Sequence, residues 1–121
     1  MANTFKVVTF AAEPASAGTA YKMYTVAGST TTVVLGLILT NIHSSAVTAE
    51  VELVSDTGSR GGAKNFTNRT SFLVKDVNIP AGSSLEVLTG GKVVLETTDY
   101  LNIDCSVADK LSGTLSIMEI T

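Results

Sequence analysis

A chain of 121 residues with a 45% apolar fraction suits a single folded domain with a real core, and excludes a disordered or solvating tail. Eight basic against eleven acidic residues leave a net charge of −3, so no general electrostatic pull towards nucleic acid is expected. The single cysteine, Cys105, excludes an internal disulfide, and its place in the alternation Leu101, Ile103, Cys105, Val107 reads as a small buried hydrophobe.

Short β-type runs broken by Gly, Pro, Ser, Asn and Thr clusters follow one another along the chain. Strands are expected near Phe5–Phe10, Ala20–Val26, Thr32–Ile42, Val47–Val54, Arg69–Val77, Leu85–Leu88, Lys92–Glu96, Tyr100–Ser106 and Leu111–Ile120. Abundant threonine supports this, because a branched Cβ fits a pleated surface. No window carries a sustained helical period, and no βαβ alternation occurs. The expected fold is an all-β antiparallel two-sheet sandwich of about eight or nine strands, jelly-roll or immunoglobulin-like. Residues 1–19 read as an N-terminal strand and flexible arm, with Ala11–Thr19 as the arm, and residues 20–121 as the sandwich.

The punctuation between these runs is legible. Ile79-Pro80-Ala81-Gly82 ends a strand, since Pro fixes φ and Gly accepts a positive one. Thr89-Gly90-Gly91-Lys92 reads as a tight hairpin between two short apolar runs. Ser55–Asn68 is a long loop of the kind usually found to be functional or mobile. Half of the basic residues, Arg60, Lys64, Arg69 and Lys75, gather in and beside it.

The faces of the strands carry the main functional clue. Val47–Val54 alternates cleanly, with Val47, Ala49, Val51 and Leu53 on one side and Thr48, Glu50, Glu52 and Val54 on the other. Thr32–Ile42 does not: Val33, Leu35, Leu37 and Leu39 oppose an equally apolar Val34, Ile38 and Ile42. In the last strand Leu111, Leu115 and Ile117 oppose Met118 and Ile120, and in the first Phe5 and Val7 oppose Val8 and Phe10. A sandwich core satisfies one apolar face; the second must be covered by the arm or by another subunit. The expected interface residues are Val34, Ile38, Ile42, Phe10, Met118 and Ile120, with Arg60, Lys64 and Arg69 meeting acidic patches on a partner.

Catalytic constellations are poorly supported. Asp56-Thr57-Gly58 resembles the active-site loop of retroviral-type aspartic proteases, but Ser55 stands where that family carries an apolar residue, and no later partner segment follows. His43 is the only histidine and reads as a strand-end turn, so neither a His-bearing triad nor a multi-His metal site is expected. Glu96, Asp99 and Asp104 read as solvated surface charges. No phosphate-binding loop spacing occurs at either Gly-rich segment. Neither an enzymatic activity nor a cofactor or metal is expected. The two sequons, at Asn65 and Asn68, read as accidental in the absence of an export signal. The longest apolar run, Val33–Leu39, is too short to cross a bilayer, so no membrane partner is expected. A glycan- or receptor-binding module is the alternative from another class, with Tyr21, Tyr24, Tyr100 and Phe66 as candidate rings; Tyr21 and Tyr24, three apart, would point to opposite faces.

Tyr24-Thr25-Val26, Thr32-Val33-Val34-Leu35-Gly36-Leu37 and Ile79-Pro80-Ala81-Gly82-Ser83-Ser84-Leu85-Glu86-Val87-Leu88 together resemble small virion structural proteins of tailed bacteriophages. Gly91-Lys92-Val93-Val94-Leu95-Glu96 and Asp99-Tyr100-Leu101-Asn102-Ile103 continue the likeness, which covers most of Tyr24–Thr121. The resemblance implies a β-sandwich present in many copies, made in the host cytoplasm and resident in the virion, with no catalytic residues to carry over. It implies a homo-oligomer, a trimer being one form, that contacts other virion proteins. Capsid decoration comes first among its stations, ahead of tail, neck or baseplate.

Overall fold

The structure, a computed structural model, describes residues 2–56 and 69–121. Nine strands are present: β1 (Asn3–Glu13), β2 (Tyr21–Thr25), β3 (Thr31–Asn41), β4 (Val47–Val54), β5 (Thr70–Ile79), β6 (Ser84–Glu86), β7 (Val93–Leu95), β8 (Tyr100–Cys105) and β9 (Leu111–Ile120). No helix occurs among the described residues. β1, β9 and β3 lie side by side, with β6 and β7 both on the far side of β3; the second sheet runs β2-β8-β4-β5. Every pairing is antiparallel.

This connectivity is a jelly-roll. β6 and β7 lie end to end along β3, opposite Ile38–Thr40 and Thr32–Val34, so they are two pieces of one interrupted strand. Counted as one, they give the nested partnerships of a rolled-up hairpin: first strand with last, second with next-to-last, and so inwards. The Thr89–Lys92 segment is therefore not the hairpin its glycines suggest. Consecutive strands that both run antiparallel to β3 cannot pair with each other, and Gly90, at φ 72°, turns an excursion inside a strand instead. The turn after β5 does follow its sequence: Ser83 N–H donates to Pro80 O at 3.1 Å, and Gly82 takes φ 68°.

The core lies between the sheets. Leu37, Leu39, Leu111, Leu115 and Ile117 of the first sheet meet Val47, Val51, Ile79, Leu101 and Ile103 of the second, all essentially without exposure. Met23, Val26, Leu95 and Cys105 complete it. Cross-strand alternation accounts for most of this set, because every second residue of β4, β8 and β9 turns inward.

β3 is the exception, and a bulge explains it. The register against β9 shifts between Val34 and Gly36, inserting Leu35 as the extra residue. Thr32 and Val34 point inward before the bulge; Leu37, Leu39 and Asn41 point inward after it. Val34 is thus 1% exposed and belongs to the core, not to the outer face assigned by strict alternation. Phe10 is likewise a core residue, its ring edge-on to Tyr21 at 5.3 Å. The segment after Phe10 continues β1 as far as Glu13, so part of the expected arm is strand, and β1 is paired to β9 from Asn3 onward.

Candidate functional site

The outer face of the first sheet stands apart from the rest of the described surface. Reading registers across the sheet, Phe5 lies opposite Met118, Met118 opposite Val33, and Val33 opposite Val94. This gives one unbroken apolar row over four strands. Val7, Leu35 and Ile38 extend it downward, and Ile120 flanks it above. Phe5 is 72%, Val7 63%, Val94 59% and Ile38 42% exposed. Scaling the usual apolar area of such side chains by these exposures gives on the order of 400 Å², within the range where a single patch is commonly functional. The intervening positions are Thr9, Ser116, Thr114, Thr31 and Gly36. Among the paired strand residues of this face the charge is Glu86, opposite Ile38 at one corner, while Lys92 and Glu96 flank β7 just outside its paired residues.

The outer face of the second sheet is the opposite in character. Glu50 faces Asp104 and Glu52 faces Asn102 across β4 and β8. Lys75 bonds Glu50 at 3.2 Å and sits 4.6 Å above the ring of Phe72, while Lys22 covers Tyr100 at 4.0 Å. Gly18, Thr48, Glu50, Asp76, Asp104 and Ser106 line a recess of about 210 Å³ beside it. The acids there are occupied: Asp104 Oδ1 accepts from Gly18 N–H and Cys105 N–H, and Lys75 serves both Glu50 and Asp76. No group of His, Cys, Asp and Glu with a metal-holding arrangement occurs among the described residues.

Of the residues expected at an interface, Ile38, Met118 and Ile120 lie on the apolar outer face, and Ile42 is exposed just past the end of β3. Val34 and Phe10 do not. Arg69 is bonded to Asp56, and Arg60 and Lys64 lie outside the described residues, as do Phe66 and both sequons. The exposed apolar residues of this face that were not among the expected interface residues are Phe5, Val7, Leu35 and Val94. Phe5 and Val7 were visible as one side of the first strand; Val94 needed the β7–β3 register to be placed beside them.

The polar candidates have structural duties. Asp99 is buried, not a solvated charge, and its carboxylate accepts from Asp56 N–H at 2.8 Å and Glu96 N–H at 3.0 Å. His43 donates its backbone N–H to Asn41 Oδ1 in the turn after β3, while Asn41 Nδ2 donates to Ser45 O and Ile79 O. Cys105 is buried. Tyr21 and Tyr24 both point between the sheets, because a register shift between Lys22 and Tyr24 cancels the odd spacing. Tyr24 Oη meets Thr32 Oγ1 at 2.8 Å and donates to Glu119 Oε2 at 2.6 Å, and Lys6 Nζ reaches Glu119 Oε1 at 2.7 Å. Burial, then the Glu119 carboxylate, pushes the Tyr24 phenol up to about 12; Lys6, then Tyr24, holds Glu119 below the ordinary carboxylate range. This cluster ties the two sheets together at one end of the sandwich.

No family model matches the chain, and neither the curated proteins nor the solved structures contain a match to it.

Proposed function

We propose that this chain is a non-enzymatic structural component of a phage virion, first of all a capsid decoration protein, whose outer β1-β9-β3-β7 face seats it in the particle. The observation that carries the reading is the asymmetry of the two outer faces: one apolar and almost uncharged, the other lined with ion pairs. An interface core is depleted of charge and enriched in aromatic and Met side chains, which is the character of the Phe5–Met118–Val33–Val94 row. Burying that row excludes water at about 25 cal/mol per Å² of apolar area before the costs of association. The resemblance of the strand and turn segments to small virion proteins supports the setting, and the jelly-roll is a fold on which capsid proteins are built.

The test is incorporation into particles. Val94→Asp and Ile38→Asp change exposed side chains, so both variants are expected to fold and melt like the parent while failing to enter particles. Normal incorporation of both would defeat the reading.

A further inference from the structure

Backbone groups at the rim of the first sheet carry an inference beyond its face. Ala2 and Thr121 exchange both backbone hydrogen bonds, N to O at 3.1 and 2.9 Å. Antiparallel pairs alternate between bonded and non-bonded along a ladder, and the β1–β9 register is regular from Asn3 to Phe10. Thr4, Lys6, Val8 and Phe10 therefore spend their N–H and C=O groups on β9. Asn3, Phe5, Val7 and Thr9 turn theirs to the opposite edge, where no strand pairs among the described residues.

The other three sheet edges carry features that discourage strand addition. β6 and β7 are three residues each and interrupted by the Gly90 excursion. β2 has five residues, a register shift and Lys22. β5 has two register shifts, Asp76 at φ 50°, and the adjacent charges of Lys75 and Asp76. β1 has eleven residues, and its one charge before Glu13, Lys6, is drawn to Glu119.

We propose that β1 is the site where a second copy of this chain joins, antiparallel about a two-fold axis through Val7, making one continuous sheet from two subunits. An antiparallel edge is its own complement, and the alternation restricts bonded pairs to odd residues on both copies. Centring on Lys6 would set two ammonium groups opposite each other, a disfavoured pair. Centring on Val7 sets Val7 against Val7, Phe5 against Thr9 and Lys6 against Val8. Three of the four outward residues, Phe5, Val7 and Thr9, then bond in pairs. Phe5 and Val7 stay on the outer face, so the apolar rows of two copies merge into one surface twice as wide. The dimer thereby deepens the assembly reading, on whose use of this face its role in the particle rests.

Sedimentation of the full chain over a range of concentrations should show a monomer–dimer equilibrium. Val7→Pro deletes the outward N–H without touching a β9 bond and should raise the dissociation constant about tenfold or more. Val7→Cys should cross-link to itself under mild oxidation, since bonded antiparallel pairs hold Cα atoms about 5.5 Å apart, within disulfide reach; Phe5→Cys, facing Thr9, should not, nor should the parent with its buried Cys105. A chain that stays monomeric, a dimer that Val7→Pro leaves unchanged, or a Val7→Cys variant that fails to cross-link overturns the proposal. If Val7→Pro fails to fold, the cross-link decides. Ile38→Asp, two strands from that edge, separates the two readings: dimer kept and incorporation lost supports both, while dimer and incorporation both kept defeats only the face as the seat in the particle.

Discussion

Among the described glycines, only Gly113 has a neighbour within reach of an added Cβ, the ring of Phe10. They are cross-strand partners, and a Cβ added at Gly113 would lie 2.3 Å from the Phe10 ring, which also packs edge-on against Tyr21. Gly113→Ala is therefore expected to cost about 1–3 kcal/mol of stability, as overpacking commonly does, measurable by denaturant unfolding. The Tyr24–Glu119–Lys6 cluster gives a second residue-scale expectation. With the phenol pushed up to about 12 from its ordinary 10.0, the native state keeps a proton that the unfolded chain loses between those values. Stability from this source is complete below pH 10 and falls as pH rises through that window. Glu119 acts at the other end: its contribution holds above the ordinary carboxylate value and fades as pH falls through its lowered one. Tyr24→Phe should flatten the alkaline loss and cost about 1–2 kcal/mol at neutral pH, both read from unfolding curves against pH.

At the scale of the element, β3 decides which apolar residues face inward. The Leu35 bulge reverses the phase, so Val34 and Leu37 share the core side although they are three apart. A direct check pairs two substitutions on the same strand. Val34→Asp buries a carboxylate among core side chains and should lower stability by several kcal/mol or prevent folding, whereas Ile38→Asp should stay within about 1 kcal/mol of the parent. Equal effects in thermal melts would mean the bulge is misplaced. The interrupted β6–β7 strand belongs to the same region: Val87 N–H still bonds Leu37 O at 2.9 Å before the chain leaves β3, and β7 rejoins on the other side of the bulge.

For the whole molecule, the two sheets divide labour. One outer face keeps the domain hydrated through Glu50, Glu52, Asp104, Lys22 and Lys75, and the other offers Phe5, Val7, Val94, Ile38 and their half-buried neighbours. A one-sided apolar surface suits a protein that lies against a larger body with its polar side outward. On the proposed seat in a particle, raising salt should weaken attachment little, since apolar burial is not screened as exposed charge pairs are; dissociation from particles across an ionic-strength series measures this, and release at moderate salt would contradict a seat built on this face.

Strand positions, the two-sheet sandwich and the inward faces of β4, β8 and β9 were legible in the sequence, because period-two alternation and turn residues are local signals. So was the surplus of apolar side chains that a single core could not absorb. Other features belonged to the tertiary structure alone. Whether Val34 or Ile38 faces outward depends on a bulge that shows only in the register with β9. Whether β6 and β7 form a hairpin or one broken strand depends on which partner they share. Val94 joined Phe5 because four strands from distant parts of the chain line up in one row, and the outer edge of β1 is unpaired among the described residues because the roll places that strand last in its sheet. Side-chain alternation is written residue by residue, whereas pairing partners are chosen by long-range contacts that no local pattern encodes.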